Sequence, residues 1–274
     1  MGLDIGSVLL LAIIQGLTEF LPVSSSGHLV IAQAVMGART PGSGSVIFET
    51  AVHAGTLGAV VYHYRERVAR LASAAGRLIS GGLRSRGSDA SELRYIGLFA
   101  LGSVPAAAVG LFLHDRIIAT FDAPAVAAGC LVATGIYLLF SKGRGGTREL
   151  GWRTALLIGA AQAVAILPGC SRSGWTITTA LLCGVGFAEA AEFSFVLSIP
   201  AVAGALALEL AGSAEPLTRG EAGMLAVGAA AAFASGLLAL RLLIRILRSG
   251  CLHRFAWYLF PVGGAGVLWF LLAG

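Results

Sequence analysis

Gln15-Gly-Leu-Thr-Glu19-Phe-Leu-Pro-Val-Ser24-Ser25-Ser26-Gly27-His28 returns in altered form 147 residues further on, as Gln162-Ala-Val-Ala-Ile-Leu-Pro-Gly-Cys-Ser171-Arg172-Ser173-Gly174-Trp175. Gln15 aligns with Gln162, Ser24 with Ser171, Ser26 with Ser173 and Gly27 with Gly174, while Pro22 and Pro168 fall one position out of step. Each copy lies between apolar stretches and is interrupted at its centre by Pro, Ser and Gly, residues that break one helix and cap the next. The copies divide the polar chemistry. The first supplies a carboxylate and a histidine, the second an arginine. A site built from both has the groups needed to bind and cleave a phosphate ester, and neither copy has them alone.

The rest of the chain sets the surroundings of these two stretches. Its 274 residues are 57% hydrophobic and only 12% charged, against about 25% charged in a typical soluble domain. With a mean hydropathy of +0.84, the composition leaves no room for a sizeable soluble domain. The apolar runs are far longer than barrel strands, so the expected class is an all-α polytopic membrane protein. The N-terminus does not read as a cleavable signal, because Asp4 stands where a basic region belongs and the apolar run continues into Gln15, Thr18 and Glu19. Cys130, Cys170, Cys183 and Cys251 form no CxxC pair and read as small packing residues. The 38 glycines suit close helix–helix approach in lipid.

Charge placement gives the expected threading. Seven of the 19 Lys and Arg lie between Arg65 and Arg94, four between Lys142 and Arg153, and four between Arg241 and Arg254. The positive-inside rule puts all three segments in the cytoplasm. Nucleic-acid binding, the competing reading of a basic chain, is disfavoured, because the charges flank apolar spans and no aromatic or RNA-binding pattern accompanies them. Six runs, at 46–63, 95–113, 124–141, 193–211, 222–240 and 255–273, are long enough to span. The motif regions, 3–37 and 154–188, are expected as two re-entrant broken-helix segments, which survive at membrane depth only when buried or lining a cavity. Runs 95–113 and 124–141 leave and re-enter the cytoplasm around the turn His114–Ala123, and the acidic loop at Glu215 and Glu221 belongs outside. That count closes only if the first motif dips in from outside and the second from inside. The expectation is one membrane domain, 1–274, made of an inverted-topology repeat: residues 1–141 and 148–274, with the site between discontinuous helices.

Several residues then stand out. Glu19 is an ionisable group inside a membrane segment, which costs about 2.5–3.5 kcal/mol on insertion scales and so defaults to function. Gln15 and Glu19 are four apart, share a helix face, and together offer oxygen ligands to a hard divalent cation, Mg2+ or Ca2+. Among Ser24, Ser25 and Ser26, any one serves most simply as a helix cap, and one can be a nucleophile if a base is near. His28 is the base or acid at hand. Arg172 needs an anionic partner: a phosphate suits its planar fork, and a structural pair with Glu19 is the plainer alternative. Ser171, Ser173, Gly174 and Thr176 can complete an anion cradle around it at a helix start. Glu49, His53, Glu192 and Glu209 are weaker candidates, balanced between function and polar packing.

In Gln15-Gly-Leu-Thr-Glu19, Pro22-Val-Ser-Ser-Ser-Gly-His28 and Pro168-Gly-Cys-Ser-Arg-Ser-Gly-Trp-Thr176 the chain resembles the undecaprenyl-diphosphate phosphatase family of the bacitracin-resistance type. The likeness runs on through Glu192-Phe-Ser-Phe and covers nearly the whole chain. The resemblance implies hydrolysis of a C55 polyprenyl diphosphate to the monophosphate carrier lipid of cell-wall glycans. It also implies a divalent cation and a multi-pass place in the bacterial inner membrane. It implies that Glu19, Ser25, His28 and Arg172 are the essential residues, with Ser24, Ser26 and Gly27 beside them at the substrate. Many members carry glutamate where this chain has Gln15, and His53 stands where glutamine is expected, so metal affinity here can differ. The expected partners are the polyprenyl diphosphate, membrane lipids and, as an assembly left open, a homodimer; nucleic acid is not among them. The rival is a transporter on the same fold, flipping a polyprenyl phosphate or moving a small anion. It would need the arginine cradle but neither nucleophile nor proton carrier.

Overall fold

A computed structural model describes residues 4–36, 43–80, 88–121, 123–212 and 218–272. Among them the regular structure is helical, with no strand beyond one isolated bridge between Arg148 and Val185. The first motif region is broken as its sequence demands. Helix α1 (Ile5–Phe20) is capped by Asp4, whose carboxylate accepts from the Ser7 N–H at 3.0 Å. It stops because Leu21, preceding Pro22, is extended at φ −63° and ψ 147°, the conformation that the proline ring imposes on its neighbour. Ser24 then takes φ +68°, the one non-glycine residue at positive φ among those described, and α2 (Ser25–Met36) begins.

Helices α8 (Trp152–Val164) and α9 (Arg172–Leu182) repeat the arrangement around Pro168. Here the left-handed residue is Gly169, at φ +90°. A side chain at this position would also run into the carbonyl of Ala127, so glycine is required twice over.

The six runs read as spans fall on α3 (Ser43–His63), α5 (Ser88–Phe112), α7 (Pro124–Leu139), α10 (Phe187–Gly212), α11 (Arg219–Arg248) and α12 (Ala256–Leu272), the last preceded by a 3-10 turn, Leu252–Phe255. Among the described residues four stretches are long and apolar enough to cross a membrane: Ala90–Phe112, Phe187–Leu208, Arg219–Arg248 and Leu252–Leu272. Ile5–Phe20 and Pro124–Leu139 are apolar but shorter. Large apolar side chains such as Leu111, Phe112, Trp257 and Leu271 face outward, as lipid contact requires. Glu215 and the side chain of Glu209 lie outside the described residues.

Two segments differ from the sequence reading. The basic stretch after His63, which the sequence reading takes only by its charge, is an amphipathic helix, α4 (Arg65–Ile79). It is tied down by Arg67, which bonds Glu92 at 2.9 Å and lies 3.9 Å over the Tyr95 ring. The turn His114–Ala123 contains a short helix, α6 (His114–Phe121).

Packing crosses between the halves. Helix α1 lies along α11, α8 along α5, and α7 along α12. Contacts close where small residues meet: Gly159 of α8 rests on the Gly102 carbonyl of α5, and Gly16 of α1 on Ala232 and Gly236 of α11. A Cβ at Gly159 would overlap the Gly102 carbonyl. Gly159→Val is therefore expected to lower unfolding stability in mixed micelles by about 1–3 kcal/mol, the usual cost of overpacking, read from a denaturant titration. An unchanged midpoint would show that the α5–α8 crossing is loose.

Candidate active site

The two broken regions meet directly. A Cβ on Gly27 would come within 2.8 Å of the Gly169 Cα, and one on Gly174 within 3.3 Å of the Pro22 ring. The Ser173 hydroxyl donates to the Leu21 carbonyl at 3.2 Å. The two helix starts are also alike in detail. Ser24 Oγ accepts from Gly27 N at 3.3 Å, and Ser171 Oγ accepts from Gly174 N at 3.2 Å. Each capping hydroxyl lies 3.3 Å from the serine two residues on, Ser26 or Ser173. The aligned positions thus do the same local work.

Glu19 is the hub. Its Oε1 accepts from Arg172 Nη2 at 2.6 Å, and its Oε2 accepts from Ser25 Oγ at 2.6 Å and from Gln15 Nε2 at 2.9 Å. The carboxylate and guanidinium side chains are only 10% and 15% exposed, so each needs the other inside the apolar body. Arg172 Nη1 is buried with no partner, and so is Gln15 Oε1. One further donor and one further acceptor therefore stand unspent beside the pair. His53 Nε2 lies 3.9 Å from Glu19 Oε2, while its Nδ1 is held by the Glu49 carbonyl at 2.8 Å. Next to Glu19 and Arg172, the space enclosed with Thr56 and Ser198 is about 10 Å3, room for about one water.

His28 is adjacent in sequence yet turned aside. Its Nδ1 meets the Ser24 carbonyl and its Nε2 the Tyr258 hydroxyl, both at 2.8 Å, with the two rings stacked. The group in contact with Ser25 is Glu19, not His28. Ser24, Ser171, Ser173 and Thr176 use their hydroxyls within the fold; Thr176 bonds the Arg172 carbonyl and Ser194. At both helix starts the first backbone N–H groups, of Ser25 and Ser26 and of Arg172 and Ser173, have no intrahelical acceptor and offer themselves to an anion. Glu192 is brought elsewhere: it pairs with Arg67 at 2.9 Å.

Thr134 is a residue that sequence reasoning passed over. Its hydroxyl bonds Gly169 O, Ser171 N and Trp175 Nε1 at 3.1–3.2 Å, pinning the second turn to α7. Tyr258 is another. Both are polar groups in largely apolar spans, where a polar group generally has a partner to find.

For a cation, no group of three His, Cys, Asp or Glu exists among the described residues. The oxygens available are those of Glu19, Ser25 and the orphaned Gln15 amide. One carboxylate with neutral oxygens suits a hard, weakly held ion whose remaining ligands come from the substrate.

Comparison with known proteins places this geometry in a family context. The sequence model described as "Bacitracin resistance protein BacA" matches residues 8–265. A protein of Korarchaeum cryptofilum (strain OPF8) named "Undecaprenyl-diphosphatase" is 41% identical over 262 residues, covering 95% of this chain and 97% of its own length. A protein of the same name from Desulfosudis oleivorans (strain DSM 6200 / JCM 39069 / Hxd3) is 43% identical over 270 residues, covering 94% and 96%. Another, from Rhodopirellula baltica (strain DSM 10527 / NCIMB 13988 / SH1), is 38% identical over 262 residues, covering 93% and 94%.

Proposed function

We infer that this chain, which belongs to the bacitracin resistance protein BacA family, is an undecaprenyl-diphosphatase, a membrane hydrolase that converts undecaprenyl diphosphate to the monophosphate carrier lipid and inorganic phosphate. One observation carries the assignment of the site within it. Glu19 holds Ser25 of its own motif and Arg172 of the other at 2.6 Å each, so a nucleophile, a base and an anion-binding group converge. The test is phosphate release from the C55 diphosphate by the purified protein, with and without chelator. A pure transporter would release none.

The proposed division of labour follows the contacts. Arg172 binds the terminal phosphate with its fork, helped by the free N–H groups at the starts of α2 and α9. The enclosed space beside Glu19 and Arg172 is too small for a diphosphate, so substrate must exchange with the carboxylate for Arg172. Released from the ion pair, Glu19 becomes the base that draws the proton from Ser25 Oγ. Ser25 supplies the attacking oxygen, its own or that of a water it orients; the bond from the terminal phosphorus to the bridging oxygen breaks and undecaprenyl phosphate leaves, and a phosphoserine formed by direct attack is then hydrolysed by water to inorganic phosphate. His28, kept in place by Ser24 and Tyr258, moves the proton at the outer side of the site. On this reading Tyr258→Phe removes one hydrogen bond from the ring, worth about 0.5–1.5 kcal/mol. The expected result is a fall in kcat of about two- to tenfold with little change in KM. An unchanged kcat would separate Tyr258 from the reaction.

The proposed cation, Mg2+ or Ca2+, would be held by Glu19 and Gln15, with the Gln15 amide turned to present Oε1. Its chemistry would be to neutralise charge on the transferring phosphoryl group. Gln15→Glu adds a carboxylate to the same helix face, and charge count tunes hard-cation affinity. This variant should need less metal for half-maximal phosphate release. Isothermal titration of metal alone should show the same order. Identical half-saturation in both measurements would leave Gln15 as a hydrogen-bonding partner of Glu19 only.

The proposed frame is an inverted repeat, about 1–141 and 148–274, lying in the bacterial inner membrane with the polyprenyl tail between outward Leu, Val and Phe side chains. The matched caps at Ser24 and Ser171, and the exchange in which α1 lies on α11 while α8 lies on α5, support this reading. Glu19, Ser25 and Arg172 come from one chain, so a homodimer is not needed to complete the site.

A further inference from the structure

A cavity of about 470 Å3 opens at the far end of α11 from Arg219, where α3 ends and α10 begins. It is lined by His63, Tyr64, Glu192, Arg241, Arg245 and Arg248, with parts of Phe187 and Ile244. That volume falls within the usual range of ligand sites, about 300–1,000 Å3. Its charge is one-sided. Arg241, Arg245 and Arg248 are spaced by four and three residues, so they share a face of α11. None of the three has a carboxylate partner among the described residues. The one carboxylate in the wall, Glu192, is already taken by Arg67 at 2.9 Å. Three guanidinium groups are therefore gathered around an open volume whose one lining carboxylate, Glu192, is paired with Arg67.

The position of the cavity along the helix says which anion fits. Helix α11 has 30 residues, about 45 Å at 1.5 Å per residue, while the hydrocarbon core is about 30 Å thick. The apolar run ends at Leu240, so Arg241–Arg248 extend into the layer where lipid phosphates lie. Leu238 and Leu242 are 63% and 43% exposed. They occupy the same stripe of α11 as Arg241 and Arg245, which joins the cavity mouth to an apolar outer surface. A headgroup phosphate in the cavity would leave its acyl chains on that surface.

We propose that this cavity is a binding site for the phosphate of an anionic phospholipid headgroup, separate from the catalytic pair. The shared chemistry of a lipid phosphate and a free phosphate ion is a tetrahedral oxyanion on arginine forks. The exposed leucines beside the arginines favour the lipid. Tyr64 of the cavity wall lies 6.2 Å, ring to ring, from Phe195, which in turn meets Phe20 edge-on at 5.6 Å. A packed path thus runs from the site to the residue next to Glu19.

The test uses the full chain in nanodiscs of phosphatidylcholine with a minor share of phosphatidylglycerol, reading by mass spectrometry which lipid stays with the protein after extraction. Basic side chains near a membrane surface attract anionic lipid by amounts that multiply to roughly a hundredfold preference for three arginines. The parent should retain phosphatidylglycerol by about that factor, and the R241Q/R245Q/R248Q triple variant should not. Each single variant should lose about fivefold, which keeps the test decisive if the triple variant does not fold. Lys142→Gln, in another basic segment outside the cavity, should leave retention unchanged. Equal retention by the parent and the three single variants would overturn the proposal, as would an equal loss in Lys142→Gln. Displacement of the lipid by millimolar inorganic phosphate would make the ligand a free anion instead. Phosphate release in neutral detergent should be the same for the parent and the single variants, so failure here leaves the catalytic assignment untouched.

Discussion

Arg172→Lys is expected to lower kcat/KM for phosphate release by at least about tenfold, equivalent to about 1.4 kcal/mol of transition-state stabilisation. The reason lies in the shape of the charge. Arg172 already spends Nη2 on Glu19 at 2.6 Å and keeps Nη1 buried without a partner. The same fork can hold the carboxylate at rest and a phosphate in the bound state, and a single ammonium lacks the bidentate match. Lysine is the informative replacement because it retains the charge. Arg172→Ala would leave Glu19 buried and unpaired, which costs about 3–5 kcal/mol of stability, and lost activity would then be confounded with lost fold. Folded Arg172→Lys protein with near-normal turnover would mean that the ion pair serves packing alone.

The largest losses are expected from Ser25→Ala and Glu19→Gln. A positioned base contributes about 10²- to 10⁴-fold, and here the proposed base and nucleophile are bonded to each other at 2.6 Å. Glu19→Gln preserves the shape of the side chain while removing the carboxylate bonded to Ser25. It also removes the proposed anchor for the cation, so excess Mg2+ or Ca2+ should not restore it. Single-turnover phosphate release from undecaprenyl diphosphate in detergent checks both variants. A Ser25→Ala protein that still turns over within a few-fold of the parent would move the attack to another oxygen, and the Glu19–Ser25 contact would then be structural.

Much of this arrangement is legible in the sequence, and the legible parts come from local chemistry. Pro22 and Pro168 break their helices whatever surrounds them. Ser24 and Ser171 recur at a fixed offset because each caps a helix start in the same way. Glu19 and Arg172 were conspicuous because an unpaired charge in an apolar segment is expensive, and each proves to be the other's partner. The parts that escaped depend on distant pairings. Tyr258 reaches His28 across 230 residues, and no local pattern announces it. With that bond and the one to the Ser24 carbonyl both His28 ring nitrogens are engaged, and the hydroxyl of Ser25 is bonded by Glu19 instead. Thr134 is a small hydroxyl in a largely apolar helix, and its three bonds to the second turn become visible only when α7 is brought against Gly169. The basic stretch at Arg65–Ile79 was read by charge alone. Its helical character lay in the spacing of Val68, Leu71 and Leu78, the apolar positions of one face.

The central claim is one site made from both motifs, and its most direct test compares variants from the two sides in a single assay. Phosphate release from undecaprenyl diphosphate by purified parent, Ser25→Ala, Glu19→Gln and Arg172→Lys should show turnover only in the parent at full rate. All three variants should fall by at least about tenfold while keeping the parent's elution profile and helical content. A loss confined to the variants of the first motif, with Arg172→Lys turning over like the parent, would contradict a site shared between the halves.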